Sequence, residues 1–239
     1  MRNRHGLFEG DLSSHIEREL YLFGGYEDDL IDRFIALSRR RGLALDIGAN
    51  IGSHTVALAQ QFKRVIAFEP NPAVLGTLER NVALNRLSNV EIRRIAVGDQ
   101  PGRAELHDVA GGNRGLASLL SDQDEYAGQF NMVYETEMAR LDDLLPNEIV
   151  DAIKMDIQGY EPNAFAGMQQ LLERSRPVVW SEVSLETLNQ IGAEGASRFF
   201  PFEVEILKIE RVRRFGIYRT ELQPCSRITS FGDYFFVPK

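Results

Sequence analysis

The stretch Leu45-Asp46-Ile47-Gly48-Ala49-Asn50-Ile51-Gly52-Ser53 decides how the rest of this chain is read. An apolar run beginning at Leu43 ends in a glycine-bearing turn, and the turn opens into a segment with helical spacing. A second apolar run, Arg64 to Phe68, follows and closes on Glu69. Strand, glycine turn, helix start, strand and terminal acid is an order that sets backbone N–H groups and a carboxylate around a nucleoside. Singly, Gly48 and Gly52 would suit any strand-to-helix turn, and Glu69 any solvated strand end. Together they are specific, because Glu69 falls 21 positions after Gly48, near the spacing of dinucleotide-binding units.

The turn nevertheless departs from the dinucleotide fingerprint G-x-G-x-x-G. Counted from Gly48, the third and sixth positions hold Asn50 and Ser53, while glycine recurs at Gly52. Such a turn is poorly made for a pyrophosphate. S-adenosylmethionine, a nucleoside with no phosphate to cradle, fits better.

Working outward, the chain alternates. Leu43 to Ile47 reads as a strand, Ser53 to Phe62 as a helix, Arg64 to Phe68 as a strand, Pro72 to Leu84 as a helix, and Val90 to Ala96 as a third strand. This implies βαβ units and a mostly parallel, doubly wound sheet. A polar, glycine-rich stretch from Gly98 to Gln129 is expected to begin as a strand near Arg103 to His107 and then to form a loop or lid. Val150 to Met155 is a fourth strand, Asn163 to Arg174 a helix, Val178 to Glu182 a strand and Ser184 to Gly192 a short helix. Glu203 to Glu210, Phe215 to Glu221 and Tyr234 to Val237 read as strands joined without helices, hence antiparallel pairing at the sheet edge. The expected sheet has seven strands, with an antiparallel C-terminal strand at its edge.

Upstream, His15 to Phe23 and Tyr26 to Arg40 have helical spacing, with Arg39-Arg40-Arg41 at the negative end of the second helix and Gly42 as its stop. Residues 1–41 are therefore expected as a helical extension and 42–239 as the main domain. A length of 239 residues suits that division. The net charge of −8, without a long basic run, argues against a nucleic-acid backbone as partner. Cys225 is the sole cysteine, so there is no internal disulfide and no thiolate cluster. No signal core and no apolar stretch of membrane-spanning length is evident, so a soluble, cytoplasmic protein is expected. The C-terminal edge strands could pair across a homodimer.

Four strand ends gather groups with chemistry: Asp46 to Gly52, Glu69 with Asn71, Gly98 with Asp99, and Asp156 to Glu161. Ligands in doubly wound sheets bind outside such ends. Glu69 could accept both ribose hydroxyls, and Asp99 the adenine amino group, although Asp99 also suits a plain turn. Asp156 is a polar anchor, with Glu161 or Glu182 as base; Glu161 is equally read as a first-turn helix acid. Of His5, His15, His54 and His107, His54 could face the cleft, though a solvent-facing or packing role suits it better, and His107 beside the expected lid is a weaker base candidate. No pair of histidines has ligand spacing, and no metal is expected.

The segments LDIGANIGSHT, VIAFEPNPAVLGTLERNVALN, VEIRRIAVGD, ARLDDL and IKMDIQGYEPNAFAGM, in this order, resemble the FkbM family of S-adenosylmethionine-dependent methyltransferases over roughly residues 43–183. Gly25-Tyr26-Glu27 is similar to the segment that precedes the family's domain. The resemblance implies a class I, Rossmann-like methyltransferase fold and S-adenosyl-L-methionine as cofactor. It further implies O-methylation of a sugar, glycan or polyketide-type acceptor. It assigns Asp46, Gly48, Asn50 and Gly52 to the cofactor loop, Glu69 to the ribose acid with Asn71 following, and Ala96, Val97, Gly98 and Asp99 to the adenine-proximal turn. Lys154, Asp156, Gly159 and Glu161 match the block Lys-x-Asp-x-Glu-Gly-x-Glu, with Asp156 near both cofactor and reaction. Gln158 departs, standing where the family commonly has glutamate. An amide there can hydrogen-bond but cannot act as a base. A cofactor-binding module without turnover, or an NAD(P)-dependent oxidoreductase, are the competing readings.

Overall fold

The computed structural model describes residues 1–12, 14–109, 117–120, 130–184, 187–188, 198–214 and 217–239. Five strands form a parallel core: β1 (Leu43–Ile47), β2 (Arg64–Phe68), β3 (Val90–Arg93), β7 (Ala152–Met155) and β8 (Val178–Val183). Three more complete the sheet: β9 (Val204–Arg214), β10 (Ile217–Cys225) and β11 (Gly232–Pro238). The order is β10-β9-β11-β8-β7-β1-β2-β3. From β1 the chain winds one way through β2 and β3, then returns beside β1 as β7. The switch point between β1 and β7 is where such a sheet opens a crevice.

Two expectations about the sheet are corrected. It has eight strands rather than seven, because β9 and β10 form a long antiparallel hairpin. The C-terminal strand is not an edge: β11 is inserted antiparallel between β8 and β9, leaving β10 outermost. Tyr234, Phe235 and Phe236 are buried on both of its faces, which suits an interior position.

Helices cover both faces. Leu45, Ile47, Ile153, Met155, Val179 and Phe236 pack under α6 (Glu161–Ala166) and α7 (Gln169–Ser175). The opposite face, with Ala44, Ala152, Trp180 and Phe235, packs under α2 (Asp28–Leu37) and α3 (Ser53–Ala59). The predicted single helix from Asn163 to Arg174 is broken at Gly167. There a Cβ would lie 1.9 Å from the Gly98 carbonyl oxygen, so the break lets the 98–99 turn approach. The helix expected over Tyr26 to Arg40 stops at Leu37, where the Ser38 hydroxyl donates to the Phe34 carbonyl. The arginines beyond it clamp other elements: Arg40 pairs with Asp151 at 2.9 Å, and Arg41 lies over the Phe62 ring.

A second, three-stranded sheet, β4 (Ala96–Val97), β6 (Met132–Ala139) and β5 (Gly102–Asp108), splits the expected third strand in two. β6 escaped the sequence reading because little but Thr136 and Met138 is buried along it. Much of the expected lid lies outside the described residues, as does most of the helix expected after Ser184. α1 (His15–Phe23) forms as expected, and Phe8 and Leu20 pack on Ile51 and Val56. The Asn81 side chain ties the arm down, accepting from the Glu9 N–H at 2.7 Å and donating to the Ile51 carbonyl at 2.8 Å. Among the described residues no helix is long and apolar enough to cross a membrane.

Candidate functional site

The crevice at the switch point holds a cavity of about 380 Å3, within the range of small-molecule sites. One wall is the turn after β1. Gly48 has φ +78°, and a Cβ there would stand 2.0 Å from the Asp156 carbonyl oxygen. Only glycine lets the two strand ends meet this closely. Asn50, also in the left-handed region at φ +51°, donates its backbone N–H to Glu69 at 2.7 Å. The Asn71 N–H donates to the other Glu69 oxygen at 2.8 Å. Glu69 is thus fixed by two backbone donors, and each oxygen keeps a lone pair for a further donor. Burial, resisted by those two hydrogen bonds, pushes its pKa up to about 7. The Asn50 side-chain oxygen at this wall is buried without a partner.

Of the residues expected at the cofactor, Gly48, Asn50, Glu69, Val97 and Asp156 line the cavity. The others stand behind it. Asp46 is fully buried and accepts from the Thr55 hydroxyl at 2.5 Å, its second oxygen unpartnered. Gly52 caps α3. Asn71 caps α4 (Pro72–Leu84) and donates to Asp108 at 2.9 Å. Asp99 is absent from the lining, although its Oδ1 is buried and unpartnered.

The opposite wall is charged. Strand alternation puts Asp46 of β1, Lys154 of β7, Trp180 and Glu182 of β8, and Asp233 of β11 on the face covered by α2 and α3. Lys154 is buried, with Nζ 3.4 Å from Asp156. Burial opposes its charge, but Asp156, Asp46 and Glu27 outweigh it and the ammonium is held above its usual pKa. The same pairing, with a 2.8 Å hydrogen bond from Gln158, overcomes burial and holds Asp156 below the usual carboxylate range. Burial, then Asp156 and Glu161, push Glu182 up to about 9.

Glu182 lines the cavity and Glu161 does not. Glu161 is fully buried, accepts from the Ile157 N–H at 3.0 Å and the Thr187 hydroxyl at 3.4 Å, and is pushed by burial to about 7. It ties the 157–161 turn. His54 lines the cavity too, 3.2 Å from Glu27 and edge-on to Trp180, and burial depresses it to about 3. It is neutral and packed against Trp180, yet it also faces the cleft, which the sequence reading makes the lesser of its two roles. Among the described residues no cluster of His, Cys, Asp and Glu could hold a metal ion.

Sequence reasoning did not single out Lys154 as lining, nor Asp233, which does not line the cavity, as the neighbour of Glu182. A lysine inside the apolar run Ala152-Ile153-Lys154-Met155 was the signal for the first. Asp233 carries no local signal, since only the β8–β11 register brings it to Glu182. From the expected loop or lid, the described piece Ala117 to Leu120 reaches the cavity: Ala117 and Leu119 line it, and the Ser118 hydroxyl donates to the Gln158 carbonyl at 2.9 Å. Ile16 and Tyr26 complete the wall from the N-terminal side.

The Methyltransferase FkbM domain model matches residues 46–216. The 2-O-methyltransferase NoeI of Sinorhizobium fredii is 28% identical over 160 residues, covering 60% of this chain and 64% of that protein. Methyltransferase 1 of Beauveria bassiana is 25% identical over 150 residues, covering 52% and 57%. The chain thus spans somewhat under two thirds of the length of these relatives. The crystal structure of methyltransferase FkbM from Methylobacillus flagellatus superposes with a TM-score of 0.50 at 19% identity, covering 82% of this chain and 44% of that one; the likeness concerns fold alone. A family model running from the β1 turn to the β9–β10 hairpin covers well over half of the sequence, and the chain belongs to the FkbM methyltransferase family.

Proposed function

We propose that this chain is an S-adenosylmethionine-dependent O-methyltransferase acting on a hydroxyl of a sugar, glycan or polyketide-type natural product. One observation carries the reading: a single cavity joins a glycine turn and buried acid at one end to a row of carboxylates around one lysine at the other. The residues fit the cofactor. The unpartnered Asn50 oxygen offers an acceptor, Gly48 allows close approach, and Glu69 has lone pairs for ribose hydroxyls. Val97 and Ile95 supply apolar surface where the resemblance expects the adenine. When bound, the cofactor supplies an electrophilic methyl group.

The chain's own part is to bind, align and accept a proton. Alignment of the acceptor oxygen provides much of the rate in a displacement of this kind. Asp156, kept ionised by Lys154, presents negative charge toward a cationic ligand. Glu182 is the cavity-lining group for the acceptor's proton. Glu161 positions the turn that carries Asp156. Residues 1–41 act as an extension to the 42–239 domain and help to shape the acceptor side through Ile16 and Tyr26. The 2-O activity in the NoeI name supports oxygen as the atom methylated.

The test is calorimetry with S-adenosylmethionine and its demethylated product, followed by an acceptor screen for S-adenosylhomocysteine release. Micromolar binding and turnover on a hydroxylated acceptor are expected. Absence of heat with both cofactor forms sinks the reading. Binding without product from any acceptor would favour a module without turnover.

A further inference from the structure

We propose that Glu182 and Asp233 act as one carboxyl pair, holding a single shared proton at rest and taking up a second from the acceptor hydroxyl, with Asp233 as a positioning residue behind Glu182. The proton uptake rests on the methyl-transfer reading; the shared proton does not.

The pair follows from the register. Asp233 of β11 lies directly opposite Glu182 of β8 in an antiparallel ladder, so both side chains stand on the same face. Cβ atoms of directly opposed residues are about 4.5–5.5 Å apart, and like charges there repel. Phe235 opposite Trp180, the next pair on that face, packs with Phe34 and closes the floor against water. The Trp180 indole N–H donates to Asp233 Oδ1 at 3.1 Å and fixes that carboxyl. The Glu182 carboxyl lines the cavity and has no hydrogen-bond donor among the described residues.

The surroundings cannot neutralise two charges. Among the described residues Lys154 on β7 is the cation that acts on both members, and Asp156 at 3.4 Å already engages it. The other charged groups that act on the pair are Glu27 at the start of α2, Asp156 after β7 and Glu161 on α6, all acids; Asp46 on β1 and the neutral His54 on α3 act on Lys154 or feel its charge. Burial raises both members: Asp156, Glu161 and then Asp233 add for Glu182, which reaches about 9, while Glu27 and Asp156 add for Asp233 against the Trp180 hydrogen bond, and it reaches about 7. Two carboxyls in such a place release their protons in separate steps.

The balance is simple. As the acceptor's C–O bond forms, the C–S bond of the sulfonium breaks with its electrons left on sulfur. The hydroxyl proton passes to Glu182, and the pair goes from one proton and one negative charge to two protons and none. The positive charge lost at sulfur thus appears as the proton held by the pair, which solvent then removes.

The experiment is a pH titration of carboxyl-13C-labelled Asp and Glu by NMR, with the fluorescence of Trp180, the sole tryptophan, as a second probe. In the unsubstituted protein Glu182 and Asp233 should each show both steps. Asp233→Asn keeps an acceptor for Trp180, so a merely structural Asp233 would leave everything else unchanged. On the proposal, its removal drops the Glu182 midpoint by one pH unit or more and abolishes the step near pH 7 in Trp180 emission. Glu182→Gln, at the cavity wall, should leave Asp233 with one step only, and serves equally if the first variant does not fold. Independent single-step titrations, or a Glu182 midpoint unmoved in Asp233→Asn, overturn the pair whatever the protein catalyses. Coupled titration in a protein that binds no S-adenosylmethionine would instead keep the pair and sink the methyl-transfer reading.

Discussion

Glu69 ties cofactor binding to pH in a way that can be worked through. Its carboxyl is 5% exposed, accepts from two backbone N–H groups and is raised by burial from 4.5 to about 7. Only the ionised form can accept from both ribose hydroxyls while keeping its backbone donors. One pH unit below the midpoint about a tenth of the molecules carry the charge, so apparent affinity falls roughly tenfold, or about 1.4 kcal/mol. S-adenosylmethionine should therefore bind about ten times more weakly at pH 6 than at pH 8, and level off above. Calorimetry in two buffers of different ionisation enthalpy should show proton release near pH 6 that vanishes in Glu69→Gln. That variant should itself lose about 10- to 100-fold in affinity, since hydrogen bonds to a charged group contribute about 1.5–3 kcal/mol. Apoprotein stability should move oppositely. Between pH 4.5 and 7 the folded chain holds a proton that the unfolded chain has released, so stability declines as pH rises through that window. The whole shift corresponds to about 3 kcal/mol, and because Glu161 contributes the same trend, the difference between the native protein and Glu69→Gln isolates it. Affinity independent of pH from 6 to 8, with no proton released, would refute the reasoning.

Gly48→Ala should cost about 2–4 kcal/mol in urea unfolding, combining a positive φ with a Cβ 2.0 Å from the Asp156 carbonyl, and should abolish cofactor binding in calorimetry. Lys154→Met leaves the fully buried Asp46 and the half-exposed Asp156 without their cation; with Asp156 screened by solvent, a loss of about 1.5–3 kcal/mol in chemical denaturation is expected, and carboxyl NMR should show the Asp156 midpoint rise. Gln158→Glu restores the acid that the family block carries but removes the amide that donates to Asp156 at 2.8 Å. Setting a second carboxylate there should raise the Asp156 midpoint and lower kcat/KM, and a gain in activity would show that the amide is not supporting Asp156.

The parallel core was legible because each of its parts is specified by neighbours in sequence. β1, β2 and α4 fall on their predicted bounds, since an unbroken apolar run or a proline in the first turn marks them locally. Elements whose limits depend on distant contacts were not. The helix after Glu161 breaks where the Gly98 turn meets Gly167, and β11 becomes interior only because the β9–β10 hairpin pairs on its far side. Among the candidate residues the division is the same. Gly48, Asn50 and Glu69 sit on one turn and the strand end beside it, so spacing sufficed; Lys154 and Asp233 join the cavity's charged face through strand register.

That division has a chemical consequence. The wall proposed for the cofactor is made mostly of backbone: N–H groups of Asn50 and Asn71 hold Glu69, and a missing Cβ makes room at Gly48. Side-chain changes around it cost little unless they strike the glycine or the acid. The charged face at the other end consists of side chains whose charge states depend on one another across three strands, from Lys154 through Glu182 to Asp233. Among the described residues Lys154 is the cation these carboxyls share, so replacing it moves the protonation of Asp156, Glu182 and Asp233 together. On the proposed reading, acceptor chemistry is set collectively, by the register of β7, β8 and β11, whereas cofactor recognition is set by the turn after β1 and the strand end beside it.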